Sequence, residues 1–194
     1  MLKREYANYE AYLKHQREKT TDPKLREKMR KRWETDVRRF EKAFLKLRGR
    51  VARGERVICL GARLGAEVFA LKDYGFDAIG IDLEPAEPLV VKGDFHAIPF
   101  KDGEFRAAYS NSVDHVYDLA KFAAEVRRVL KRPGWLLVCL AMQNYGKYES
   151  IRIDSTAEFL EHFSDFEVIE QTSNEKPGRS ERIDILLRID DEEK

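Results

Sequence analysis

The stretch Arg56-Val-Ile-Cys-Leu-Gly-Ala-Arg-Leu-Gly65, with Gly80-Ile-Asp82 further on, decides how this 194-residue chain is read. Val57 to Leu60 is a short apolar run suited to a buried parallel strand. Gly61 and Gly65 allow a tight turn and a close approach of backbone to a ligand. Ala66 to Tyr74 carries Val68, Leu71 and Tyr74 at helical spacing, and Gly75 stands at its C-cap. Phe76 to Ile81 reads as the next strand. Asp82 then falls at the carboxyl edge of a sheet, where a carboxylate accepts hydrogen bonds from a ribose diol. This order is that of a nucleotide- or nucleoside-binding βαβ unit. A three-glycine turn would have its middle glycine where Arg63 stands.

Working outward, Pro85 and Pro88 break regular structure. Leu89 to Lys92 reads as a third strand closed by Gly93-Asp94-Phe95. Ile98-Pro99-Phe100 leads into a turn over Lys101 to Glu104. Phe105 to Ser110 is a fourth strand, ending in Asn111-Ser112-Val113-Asp114-His115. Leu119 to Leu130 is an amphipathic helix, Lys131-Arg-Pro-Gly134 a sharp stop, and Trp135 to Met142 a strongly apolar fifth strand. Gln143 to Ile153 is polar and reads as a loop at the carboxyl edge. Ser155 opens a helix through His162 with a capping-box pattern. Phe166 to Gln171 and Ile183 to Ile189 alternate as strands around a turn-rich Thr172 to Arg182, and the charged tail from Asp190 to Lys194 is expected to fray.

The ordered pieces across Arg56 to Met142 resemble a class I S-adenosylmethionine-dependent methyltransferase of the type-11 methyltransferase domain kind. They are the Gly61–Gly65 turn, Ile81-Asp82, Gly93-Asp94-Phe95, Ile98-Pro99-Phe100, Asn111 to His115, and Val126-Arg-Arg-Val-Leu-Lys-Arg-Pro-Gly134. The resemblance implies an α/β, Rossmann-like seven-stranded sheet of order 3-2-1-4-5-7-6 with its last strand antiparallel. It implies S-adenosylmethionine as cofactor, S-adenosylhomocysteine as product, and a cofactor-binding set of Gly61, Ala62, Arg63, Gly65, Asp82, Leu83, Asp94, Phe95 and Asn111. Within that set Gly61 and Gly65 line the methionine portion and Asp82 holds the ribose hydroxyls. Asp94 faces the adenine amine, Phe95 packs by the ring, and Asn111 lies near the reacting methyl group. Two positions depart from the family's pattern, where Cys59 and Arg106 replace acids. Arg63 either pairs with the cofactor carboxylate or points to solvent.

Chain length suits one domain plus a helical attachment, drawn here as residues 1–50 and 51–194. The formal net charge is +1, but residues 1–50 hold 17 Lys or Arg against 8 Asp or Glu, and the rest 19 against 27. Those totals suggest no strong general attraction to polyanions, while the N-terminal part is basic. Cys59 and Cys139 fall within expected central strands and read as small buried hydrophobes; a disulfide framework and a metal site are not expected. No apolar run is long enough to span a membrane and the N-terminus is too charged for a secretory signal, so a cytoplasmic location is expected. The oligomeric state is left open.

Glu5 to Lys19 reads as a helix with Tyr6, Tyr9, Tyr12 and Leu13 near one face. Asp22-Pro23 starts a second helix, whose stripe of Trp33, Val37, Phe40, Phe44 and Leu47 packs on the core or closes over its mouth. His115 is the candidate general base, or else stabilises its loop, and Asn111 is a candidate positioning residue. His96 either shapes the pocket or faces solvent. Tyr145, Tyr148, Tyr6, Tyr9 and Tyr12 either line an acceptor pocket or pack. The expected activity is methyl transfer to a small-molecule oxygen or nitrogen. The alternatives are an RNA or protein methyltransferase using the basic Lys24–Arg32 segment, a nucleotide-dependent oxidoreductase, or a non-catalytic cofactor-binding protein.

Overall fold

The alternation within the first core strand sets the layers. In the computed structural model, which describes residues 1–85, 88–174 and 180–191, Val57 and Cys59 point to one face of a sheet and Ile58 and Leu60 to the other. In chain order the strands are β1 (Leu2–Lys3), β2 (Arg56–Leu60), β3 (Asp77–Asp82), β4 (Val90–Lys92), β5 (Phe105–Ser110), β6 (Leu130–Ala141), β7 (Ile151–Arg152), β8 (Glu167–Ser173) and β9 (Arg182–Ile189). The helices are α1 (Tyr9–Thr21), α2 (Pro23–Lys31), α3 (Trp33–Phe44), α4 (Ala66–Asp73), α5 (Leu119–Val129) and α6 (Thr156–Leu160). Seven strands pair in the order β4-β3-β2-β5-β6-β9-β8. Counted without β1 and β7, that is the expected 3-2-1-4-5-7-6. β9 runs antiparallel to both its neighbours, while β2 to β6 are mutually parallel. This is the Rossmann-like sheet order that the resemblance implied.

α3 and α4 cover the Val57–Cys59 face, where Phe40, Phe44 and Leu47 pack with Val68, Leu71, Tyr109 and Leu186. Phe44 is fully buried, its ring 4.8 Å from that of Tyr109 in an edge-to-face contact. α5 and α6 cover the other face through Phe122, Val126 and Phe159. The expected apolar stripe of α3 therefore packs on the core. The element that crosses the carboxyl edge is α1. Its Tyr12 hydroxyl donates to the His115 carbonyl (3.1 Å), and Gln16 Nε2 donates to the Tyr148 carbonyl (2.9 Å).

Several expected boundaries move. The first helix begins at Tyr9 rather than Glu5, because Asn8 caps it by accepting from Ala11 N–H (2.9 Å) and the residues before it are tied elsewhere. Leu2–Lys3 pair antiparallel with Ile151–Arg152, so the polar stretch after β6 is not all loop and the chain does not start as helix. The second expected helix is two: the chain turns at Arg32, which lets α3 bury its stripe while α2 buries no residue. Lys131 to Gly134 is not a stop between elements. It lies within β6, and a register shift opposite Phe105 and Ala107 absorbs the extra residues. The helix opened by Ser155 ends at Leu160 and continues as a 3-10 turn to Phe163. Cys139 is half-buried, unlike the buried Cys59. Most of the expected turn between the last two strands, residues 175–179, lies outside the described residues, as do residues 192–194 of the tail.

Candidate active site

The turn after β2 follows from two glycines with φ of 78° and 86° at Gly61 and Gly65, a left-handed region open to residues without a Cβ. A Cβ on Gly61 would stand 2.9 Å from Ser112 Cβ and Oγ, so the turn and the end of β5 meet backbone to side chain. Arg63, between them, holds a φ of 48° despite its side chain. Asp82, at the end of β3 and 9 % exposed, secures this turn: its Oδ2 accepts from Arg63 N–H (3.0 Å) and its Oδ1 from Glu84 N–H (3.1 Å). Burial pushes its carboxyl up, and the two backbone donors oppose that.

These residues wall a cleft at the carboxyl edge. Gly61 and Arg63 come from the first turn, Asp82 and Leu83 follow β3, Gly93, Asp94 and Phe95 follow β4, and Ser112 and His115 follow β5. The opposite wall is α1, through Tyr12, Gln16, Lys19 and Thr20. The structure thus brings together seven of the sequence-expected residues: Gly61, Arg63, Asp82, Leu83, Asp94, Phe95 and His115. Ala62 and Asn111 line neighbouring clefts instead. Gly65 is the N-cap of α4, set against Leu89 and Val90. Asn111, just past the end of β5, lies on the α3 side with Tyr109, while Ser112 turns toward Gly61. Of the α1 residues, Tyr12 was expected either to line a pocket or to pack; Gln16, Lys19 and Thr20 were not expected at the site, since no local pattern says which distant loop a helix face will meet.

His96 is 1 % exposed and shapes the pocket. Its Nε2 accepts from the N–H groups of Tyr117 and Asp118, both 3.2 Å away, so its proton sits on Nδ1 and donates to Asp94 Oδ1 (2.9 Å). Asp94 Oδ2 accepts from the Tyr9 hydroxyl. Burial works to raise the Asp94 carboxyl, but its hydrogen bonds with His96 and Tyr9 outweigh it and hold it below the usual range.

His115 has both ring nitrogens engaged. Nδ1 donates to the Tyr148 carbonyl (3.0 Å), which leaves Nε2 to accept from Lys19. Burial depresses its pKa, so it is neutral at pH 7. Burial first, and then the nearby Arg63 charge, lowers Lys19 to about 7. Asp114, His115 and Glu149 present donor atoms within 4.8 Å of one another, a grouping the sequence spacing did not suggest. Asn144 Nδ2 bridges the two carboxylates (2.9 and 3.2 Å) and Lys19 takes the His115 nitrogen. These contacts supply the cluster's hydrogen-bond partners.

The departures at Cys59 and Arg106 resolve differently. Cys59 is a core thiol against α3 and α4. Arg106 sits at the start of β5, away from the cleft, pairs with Glu55 (3.4 Å) and donates to the Pro133 carbonyl. The tyrosines divide as well: Tyr12 lines the cleft, Tyr9 holds Asp94, and Tyr6 bonds His15 and Ser150. Tyr148 stacks on His15, and Tyr145 lies under Arg4. No helix among the described residues is long and apolar enough to cross a membrane.

Residues 58–138 match the family model described as a methyltransferase domain. No curated protein matches the chain in sequence. Among solved structures, the chain is similar to the Burkholderia thailandensis 1,6-didemethyltoxoflavin-N1-methyltransferase, determined with 1,6-didemethyltoxoflavin and S-adenosylhomocysteine. The identity is 16%, with 98% of this chain and 94% of that chain covered and a TM-score of 0.74. A chain of the complex between the Haloferax volcanii Trm112 methyltransferase activator and its assigned methyltransferase is 18% identical, with 89% and 96% covered and a TM-score of 0.69. The [4+2]-cyclase SpnF is 14% identical, with 79% and 80% covered and a TM-score of 0.65. At such identities the likeness is one of fold, and one fold serves several chemistries.

Proposed function

We propose that this chain, whose residues 58–138 match the methyltransferase-domain model, transfers a methyl group from S-adenosylmethionine to an oxygen or nitrogen of a small molecule. The observation that carries this reading is the convergence of Asp82, Asp94, Phe95 and the Gly61 turn on one cleft. The cleft's chemistry fits the cofactor. Each Asp82 oxygen takes one backbone donor, so lone pairs are left for ribose hydroxyls. Phe95 and Leu83 offer apolar surface for adenine, and Arg63 offers a cation for the methionine carboxylate. Tyr9 occupies Asp94 Oδ2, so an adenine amine there would share that oxygen with Tyr9 or displace it.

When bound, the cofactor supplies an electrophilic methyl on a sulfonium, and its sulfide is a good leaving group. The protein's part is then to align, to exclude water and to take a proton. α1 walls the cleft against solvent. Lys19 is the better candidate for the proton. It donates to His115 Nε2, titrates near neutrality, and as a free amine has a lone pair to spare. His115, with both nitrogens committed, positions Lys19 rather than acting as the base itself.

Calorimetric titration with S-adenosylhomocysteine tests the reading. Binding is expected, and Asp82→Ala should weaken it by about 1–3 kcal/mol through the loss of charge-assisted bonds. A folded protein that ignores millimolar ligand would sink the proposal; unchanged affinity in Asp82→Ala would remove Asp82 from the site.

A further inference from the structure

A second cleft opens beside the first, between α2, α3, the carboxyl end of β5 and the amino end of the antiparallel β9. It shares Lys19 and Arg63 with the cofactor cleft and adds Lys28, Arg32, Arg39 and Arg182. Against the five cations Lys28, Arg32, Arg39, Arg63 and Arg182 its lining holds one carboxylate, Asp36, already paired with Arg32 (3.2 Å) and Arg39 (3.6 Å). Among the described residues no carboxylate oxygen lies within 4.0 Å of the Arg63, Arg182 or Lys28 side-chain nitrogens. The contact recorded for the Arg182 guanidinium is Cys139 Sγ at 3.8 Å. Arg39, Asn111 and Arg182 continue into a third cleft under α3 that adds Lys42, Lys46, which is paired with Glu170, and one carboxylate, Asp184, which accepts from Asn174 Nδ2 (2.8 Å). Lys42 also has no ion-pair partner among the described residues.

Like charges crowded into a concave site repel one another, and the local dielectric makes this worse than on open surface. Such an arrangement persists where an oxyanion completes it, and arginine's planar fork suits carboxylate or phosphate oxygens. We propose that this second cleft is the acceptor site and that the methyl acceptor is a small molecule carrying carboxylate or phosphate groups, seated between Arg39 and Arg182 with its reacting atom toward Asn111. The proposal rests on the methyltransferase reading and names its substrate class. A long nucleic acid fits less well. The cations line a recess rather than a stripe, and residues 51–194 carry a net charge of −8 that would repel an extended polyanion.

The test uses the full chain saturated with S-adenosylhomocysteine, titrated at fixed ionic strength with citrate in one arm and pyrophosphate in the other. At least one should bind, and which one does assigns the group as carboxylate or phosphate. Arg182→Gln and Arg39→Gln should each weaken that binding about tenfold while leaving S-adenosylhomocysteine affinity within about twofold. Lys28→Gln, on the exposed side of α2, gives a fold-neutral third variant with a smaller loss. Absence of binding in both arms, or binding indifferent to all three variants, would overturn the anionic acceptor. So would a single-stranded RNA that binds more tightly than either probe and depends on Arg182. Wild-type protein that binds pyrophosphate through Arg182 but not S-adenosylhomocysteine would instead overturn the methyltransferase reading and leave the anion site standing as such.

Discussion

Arg63 occupies a left-handed position that glycine fills without cost, and a non-glycine residue there carries about 1–2 kcal/mol of strain. Its side chain faces three clefts and has no carboxylate within ion-pair distance among the described residues. Arg63→Gly is therefore expected to keep or raise stability in urea unfolding, by up to about 1 kcal/mol, while weakening S-adenosylhomocysteine binding. Unchanged binding would assign Arg63 to the acceptor side alone. Lys19 makes a separate prediction. The kcat/KM of the enzyme should rise as pH passes through about 7, because the free enzyme's Lys19 then loses its proton. Lys19→Met should abolish that limb, whereas a limb retained in the variant would place the base elsewhere.

At the scale of elements, the N-terminal helices play different roles. α3 is part of the core: Phe40, Phe44 and Leu47 fill the face of the sheet over Tyr109 and Leu186. Phe44→Ala leaves a cavity at a fully buried position and should cost about 3–5 kcal/mol, read from the shift of the denaturant midpoint. A loss below about 1 kcal/mol would mean that α3 is a detachable appendage. α1 buries mainly polar and amphipathic groups, Tyr12, Gln16 and Thr20, and is held by hydrogen bonds across the carboxyl edge. Such an element stands nearer the low-stability end of a fold, which suits the wall of a site that must admit its ligands.

Over the whole molecule, buried titrating groups tie stability to pH. The folded chain holds His115 neutral below the pH at which the unfolded chain, near 6.5, takes up its proton. Protons therefore favour unfolding as pH falls below about 6.5. Lys19 has the same sign in a higher window. The folded chain releases its proton at about 7 and the unfolded chain near 10.4, so stability rises across that interval. Denaturant unfolding at a series of pH values should show both slopes. His115→Gln should flatten the acidic one and Lys19→Met the alkaline one; slopes that survive these changes would assign the linkage to other groups.

The order of elements was legible in the chain because each carries its own period or stop. Val57–Leu60, the Gly61–Gly65 turn and Asp82 read directly as strand, turn and acid, and Asp94, Phe95 and His115 follow their strands in the same way. Side-chain alternation places residues on a face only while a strand lasts. Beyond its end, whether Asn111 or Ser112 faces the cofactor cleft depends on how the loop packs against Gly61. The composition of the site's outer wall was not legible. Lys19 meets His115 across 96 residues, and Arg182 shares a cleft with Arg39 only because β9 inserts between β6 and β8 and brings its first residue under α3. Local sequence thus determined the fold and the acids that line the cleft, since short-range periodicity and turn chemistry suffice for both. The Lys19–His115 contact, the cation-lined recess and the insulation of Arg106 from the site were decided by tertiary structure, since each joins segments that only the packed sheet makes neighbours.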